Sequence, residues 1–175
     1  MLHNELYFAK NSSNWGNGGV AFVKNCIDPA KNTLGRMYLI TEEQFCDVVK
    51  QETKSDKFVS IGFEKAIRDG RLNIKPASWY GQLIYLGHKK GFPIFTFTNE
   101  NDLTSFTRPS PSYLRTIIQG IYETYSLEHK QIMNYLFDKA GITGNYTKQD
   151  LANLINGALI ALDFPIQDDQ GKDKL

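Results

Sequence analysis

At 175 residues and 41% hydrophobic content, the chain can bury one globular core, which excludes a disordered or fibrous protein. Lys and Arg number 20 against 19 Asp and Glu, a net charge of +1, too balanced for nucleic-acid binding, so a small-molecule or protein partner is expected. Cys26 and Cys46 lack CxxC spacing and disulfide-framework density, and no apolar run approaches a membrane span or signal peptide, so a soluble cytoplasmic protein is expected.

In chain order, residues 5–9 and 19–24 are rich in aromatic and β-branched side chains and read as strands, separated by a Ser/Asn/Gly loop over 10–18. Residues 36–40 read as a third strand that runs into a helix. Thr41 and Gln44 give that helix a capping box, and Phe45, Val48, Val49 and Glu52 follow at the spacing of one helical face. Residues 63–68 suit a short helix and Asp69-Gly70 a turn. Residues 82–86 and 93–98 pair as a hairpin through His88-Lys89-Lys90-Gly91, with His88 in the turn.

From Ser110 the period becomes helical. Ser110 is an N-cap and Pro111 a first helical residue, after which Leu114, Ile117, Ile118, Ile121 and Tyr122 form an apolar stripe. A second helix is expected from Ser126 through Ile132, Leu136 and Phe137 to Gly141, and a third from Thr147 through Leu151, Leu154, Ile155, Ala158 and Leu162. Residues 167–175 are charged and aperiodic and read as a mobile tail. The expected organisation is therefore a sheet domain over 1–125, a helical extension over 126–166 packed on it, and the tail.

Glu52 is the anomaly, an acid in an otherwise apolar stripe. Burial, and the negative end of the helix dipole, would both raise its pKa toward values useful for moving protons near neutrality. The competing reading is a frayed helix end with the side chain in water.

Other constellations carry less. Gly16, Gly18 and Gly19 are not followed by Gly-Lys-Ser/Thr, and a strand rather than a helix comes next, against a phosphate-binding loop. His3, His88 and His129 are scattered, with no carboxylate or cysteine at ligand spacing, so neither a metal nor another cofactor is expected. Lys50, Lys54, Lys57, Arg68 and Arg71 interleave with acids, as on a solvated face. Residues 139–162 have helix-turn-helix order, but the second helix is poor in Arg and Lys, which favours packing against the sheet or in a homodimer over DNA contact.

Three separated stretches resemble the gamma-glutamylcyclotransferase-like family: Trp15 with Gly18-Gly19-Val20-Ala21, Val48 through Gln51-Glu52, and Pro109-Ser110-Pro111-Ser112-Tyr113. The resemblance implies an α+β fold with a mixed, β-barrel-like sheet and flanking helices. It also implies that Glu52 is the general acid/base and that Tyr80, Tyr113, Gly18 and Gly19 contact a γ-glutamyl substrate. The implied reaction is an intramolecular aminolysis that releases 5-oxoproline. Two departures stand out. The family's opening strand and Tyr-Gly-Ser-Asn loop have no counterpart, because residues 6–9 match the later strand before the tryptophan. Either Met1 is an internal start, or a partner or altered mechanism supplies that part, or the chain is an inactive scaffold that binds a small molecule or oligomerises. The stretch from Glu52 to Tyr80 is also longer than the family's, as a lid over the site or, the favoured reading, an ordinary surface insertion would be.

Overall fold

A computed structural model describes residues 2–54 and 60–163. The tail over 167–175 lies outside them, as does part of the 53–79 insertion. The elements are β1 (Leu6–Ser12), β2 (Gly18–Val23), α1 (Glu42–Thr53), α2 (Phe63–Asp69), β3 (Arg71–Asn73), β4 (Gln82–Lys89), β5 (Phe92–Thr98), α3 (Pro111–Tyr125), α4 (His129–Phe137) and α5 (Lys148–Asp163). The fold is α+β. Its strands form two antiparallel sheets, β1-β2 and β3-β4-β5, and they do not close into a barrel among the described residues.

The expected barrel-like sheet fails at β2. Its outer edge meets no strand; Gly19 donates to the Arg108 carbonyl at 2.8 Å, and side-chain hydroxyls satisfy the next groups along. The strand expected over 36–40 is also absent, and Met37, Tyr38 and Leu39 are more than half exposed. Its approach is tied to helices instead. The Tyr135 and Tyr125 hydroxyls accept from the Leu34 and Gly35 N–H groups at 3.1 Å each, and Arg36 pairs with Glu123.

The main core joins the first sheet to the helices. Leu6 and Phe8 of β1 pack with Leu114, Ile118 and Ile121 of α3, Ile132 and Leu136 of α4, and Leu151, Leu154, Ile155 and Ala158 of α5. Stripes at i, i+3, i+4 and i+7 place these residues on the inner helix faces. A smaller core of Val49, Ile61, Ala66 and Leu83, edged by Phe45, Phe63, Phe95 and Phe97, fixes α1 and α2 to the second sheet. No helix among the described residues is long and apolar enough to cross a membrane.

Local chemistry sets the boundaries. Thr41 and Gln44 make the reciprocal capping bonds of α1, and Ser110 with Pro111 opens α3. Ser126 does not start α4: it takes a left-handed conformation and its N–H caps the Tyr122 carbonyl, ending α3. α4 starts from Glu128, in a capping box with Gln131 that an acid at the N-cap conceals in sequence. The hairpin also turns later than expected. Lys90 and Gly91, at φ 51° and 85°, form a two-residue turn whose twist suits antiparallel strands. His88 therefore lies in the ladder opposite Pro93, with its Nδ1 against the Tyr85 hydroxyl. β3 is short and polar, and it forms only because Gln82–Ile84 of β4 offers it a partner.

Ile155 is fully buried among the three long helices. Ile155→Ala should lower unfolding free energy by about 2–5 kcal/mol with an unchanged urea m-value. A urea melt showing less than about 1 kcal/mol would contradict this packing.

Candidate functional site

The site builds outward from Ala21, in the middle of β2. Because strand peptides alternate, Ala21 points both its N–H and its C=O away from β1, at an edge with no neighbouring strand. Two tyrosines from distant parts of the chain take the place of that neighbour. The Ala21 N–H donates to the Tyr113 hydroxyl at 3.1 Å, and the Tyr80 hydroxyl donates to the Ala21 carbonyl at 3.0 Å. Further along, the Thr98 hydroxyl donates to the Val23 carbonyl. Three elements thus converge on one strand edge.

Aromatic packing fixes the phenols. Phe22 stacks on Tyr80 with ring centroids 4.9 Å apart, and Trp15 lies 4.9 Å from the Tyr113 ring. Tyr113 occupies the first turn of α3, two residues beyond Pro111, and Ser110 caps its N–H at 3.3 Å. Gly18 and Gly19 make that proximity possible. A Cβ on Gly18 would meet the Ser110 nitrogen at 2.4 Å, and one on Gly19 the Thr107 oxygen at 2.2 Å. Both glycines let the chain before α3 lie against β2.

Glu52 sits at the flank of α1 rather than on its core-facing line. With roughly 100° per residue, Val49 at the centre places Phe45 and Thr53 about 40° to either side and Glu52 about 60° away. Val49 and Thr53 are buried, Phe45 half-buried, Val48 and Glu52 exposed. The stripe that spacing gives is therefore rotated toward Thr53, which is buried with its hydroxyl donating to the Val49 carbonyl, while Val48 is exposed and Phe45 packs against Phe63, Phe95 and Phe97 at 5.2–5.9 Å. Glu52 nonetheless lies near enough to the tyrosines for its negative charge to oppose ionisation of both Tyr80 and Tyr113. It keeps contact with solvent, yet the protein around it withdraws enough water to raise its carboxyl above the ordinary glutamate range.

The phenols remain neutral. Burial chiefly, then Tyr113, Glu52 and Tyr7, push Tyr80 far above the usual phenol range; burial and Glu52 raise Tyr113 against the lowering effect of the Ala21 N–H. Their remaining hydrogen-bonding capacities are complementary. Tyr113 accepts from Ala21 and keeps its own proton to donate, whereas Tyr80 donates to Ala21 and keeps its lone pairs to accept. Each phenol is thus left with one hydrogen-bonding capacity that its bond to Ala21 does not use.

The structure thus gathers Glu52, Tyr80 and Tyr113, with Gly18 and Gly19 on the strand they share. Sequence reasoning missed Ala21, whose part is played entirely by its backbone, and Thr98. Ala21 leaves no side-chain signal, and Thr98 is an ordinary strand residue that no spacing sets apart. Two surface recesses lie elsewhere. One of about 460 Å³ is lined by Lys10, Asn11, Asp102 and Thr107 among others, the second lies between α4 and α5, and neither includes Glu52. Among the described residues no three His, Cys, Asp or Glu side chains gather as a metal site.

No family model and no solved structure matches the chain. In an alignment of 151 positions that covers 77% of the chain, it is 31% identical to Histone deacetylase 5 of Arabidopsis thaliana. The chain spans 23% of that protein's length.

The raised pKa of Glu52 has a sign that can be measured. A carboxyl that holds its proton more tightly when folded favours the fold below its unfolded pKa, near 4.5, and that contribution is lost as pH rises through the folded value. Glu52→Gln, neutral throughout, should melt above wild type at pH 7, the gap closing as the pH falls through the folded pKa and gone below about 4.5. A gap that widens on acidification would contradict the direction.

Proposed function

We propose that the chain is a gamma-glutamylcyclotransferase-like protein that closes a γ-glutamyl amide to 5-oxoproline, with Glu52 as general acid/base. The observation that carries this reading is the meeting of a carboxyl of raised pKa with two neutral phenols of opposite free capacity. The α-amine of the substrate attacks its own δ-carbonyl, forming the ring C–N bond while the bond to the leaving nitrogen breaks. The ammonium loses one proton to water to become the nucleophile, Glu52 accepts the second as the ring closes and, once protonated, returns it to the leaving nitrogen, and the freed amine takes a further proton from water. Nucleophile and electrophile belong to one molecule, so holding a bent conformer supplies much of the rate. Tyr113 donates to a substrate oxygen and Tyr80 accepts from the ammonium.

A second reading, a small-molecule-binding or oligomerisation scaffold without turnover, draws on two observations. Both hydroxyls already engage Ala21, and a relative carries similar sequence as under a quarter of its length. The deacetylase activity in that relative's name belongs to the longer protein.

Incubation with γ-glutamyl amides, following 5-oxoproline, separates the two. The enzyme reading expects product formation that Glu52→Gln reduces by about a hundred-fold or more, with an acidic limb in kcat/KM lying above the ordinary glutamate pKa. No product, with a ligand-induced melting shift preserved in Glu52→Gln, would establish the scaffold instead.

A further inference from the structure

Lys75 lies between the two halves of the site and has no part in the mechanism above. Its ammonium donates to the Thr53 carbonyl at 2.6 Å and reaches the Lys54 carbonyl at 3.4 Å. These are end groups of α1, which have no acceptor role left within the helix, and a cation there also meets the negative end of the dipole. Lys54 closes the helix in a left-handed conformation at φ 50°, its N–H returning to Gln51 and Lys50. Glu52 is therefore held within the very turn that the Lys75 ammonium grips.

The backbone of Lys75 is fixed to the other half. The Ile74 and Lys75 N–H groups both donate to the Gly81 carbonyl, at 2.8 and 3.2 Å, and Ser78 donates back to Lys75 at 3.2 Å. The loop closes so tightly that a Cβ on Gly81 would stand 1.9 Å from the Lys75 oxygen. Tyr80 is the residue before that glycine. Glu100 braces the same loop by accepting from the Ala77 N–H at 3.1 Å and from the Asn73 amide, and Asn99 donates to the Ser78 and Trp79 carbonyls. One side chain, on a backbone that cannot drift, joins the end of α1 to the turn bearing Tyr80.

We propose that Lys75 is a positioning residue, a strut that sets Glu52 opposite Tyr80 and Tyr113 and keeps water partly away from its carboxyl. The inference rests on the reading of Glu52 as the proton carrier, but its test does not. Without the strut, the last turn of α1 loosens, Glu52 hydrates, and its pKa falls toward that of an ordinary glutamate.

The test is a carboxyl-carbon NMR titration of Glu52 in wild type, Lys75→Met and Lys75→Arg. The strut predicts a downward shift in Lys75→Met and a wild-type titration in Lys75→Arg, which keeps the cation and its donors. An unchanged Glu52 in folded Lys75→Met, or a rise from loss of a nearby positive charge, overturns the proposal. Where Lys75→Met does not fold, the wild-type protein decides: the Lys75 ammonium hydrogens should exchange more slowly than those of exposed Lys65, and equal rates overturn it. If wild type forms 5-oxoproline, Lys75→Met should lower kcat with KM held within about twofold. If wild type forms none, the cyclisation reading falls while the titration still judges the strut.

Discussion

Everything at the candidate site depends on one unpaired strand edge. β2 has β1 on one side and nothing of sheet geometry on the other, yet a buried peptide without partners costs about 1–3 kcal/mol per group. The chain meets that requirement with hydroxyls. Tyr113, Tyr80 and Thr98 arrive from α3, from the turn before β4 and from the end of β5, and each takes one backbone group of β2. The edge is what brings segments nearly a hundred residues apart to one place. It also gives each phenol a defined orientation, because the bond to Ala21 settles which capacity is used and which remains.

The glycines and prolines serve the same edge. Gly18 and Gly19 leave room for 107–110 to lie against β2, and Pro111 starts α3 at once, so Tyr113 stands in the first turn with its ring above the strand. On the far side, Gly81 closes the Lys75–Gly81 loop and delivers Tyr80. Glu52 comes from a helix held by aromatic contacts and by its C-terminal end rather than by deep burial. That looser attachment accounts for a carboxyl both solvent-touched and raised in pKa.

Legibility in the sequence followed the reach of each signal. Caps and periodicity are local, so the capping box at Thr41, the Ser110-Pro111 start of α3 and the stripes of α3 to α5 could be read directly. The 36–40 segment has strand composition but forms no ladder, and helix-borne tyrosines hold Leu34 and Gly35 just before it, a tertiary outcome that composition does not encode. Spacing shows that Glu52 belongs to α1 but not that it sits at the flank, because nothing local reveals that polar Thr53 is buried beside Val49 while apolar Val48 is exposed. Tyr80 and Tyr113 were named through resemblance; that both bind one alanine was invisible, since Ala21 contributes only its backbone.

The central claim, that side-chain hydroxyls replace a strand at β2, is tested most directly by amide hydrogen exchange at Ala21 in wild type and Tyr113→Phe. The account predicts a protected Ala21 N–H in wild type and a protection factor at least about tenfold lower in the variant, with Phe22 beside it little changed. An Ala21 amide that exchanges freely in the wild-type protein, or one equally protected without the Tyr113 hydroxyl, would contradict it.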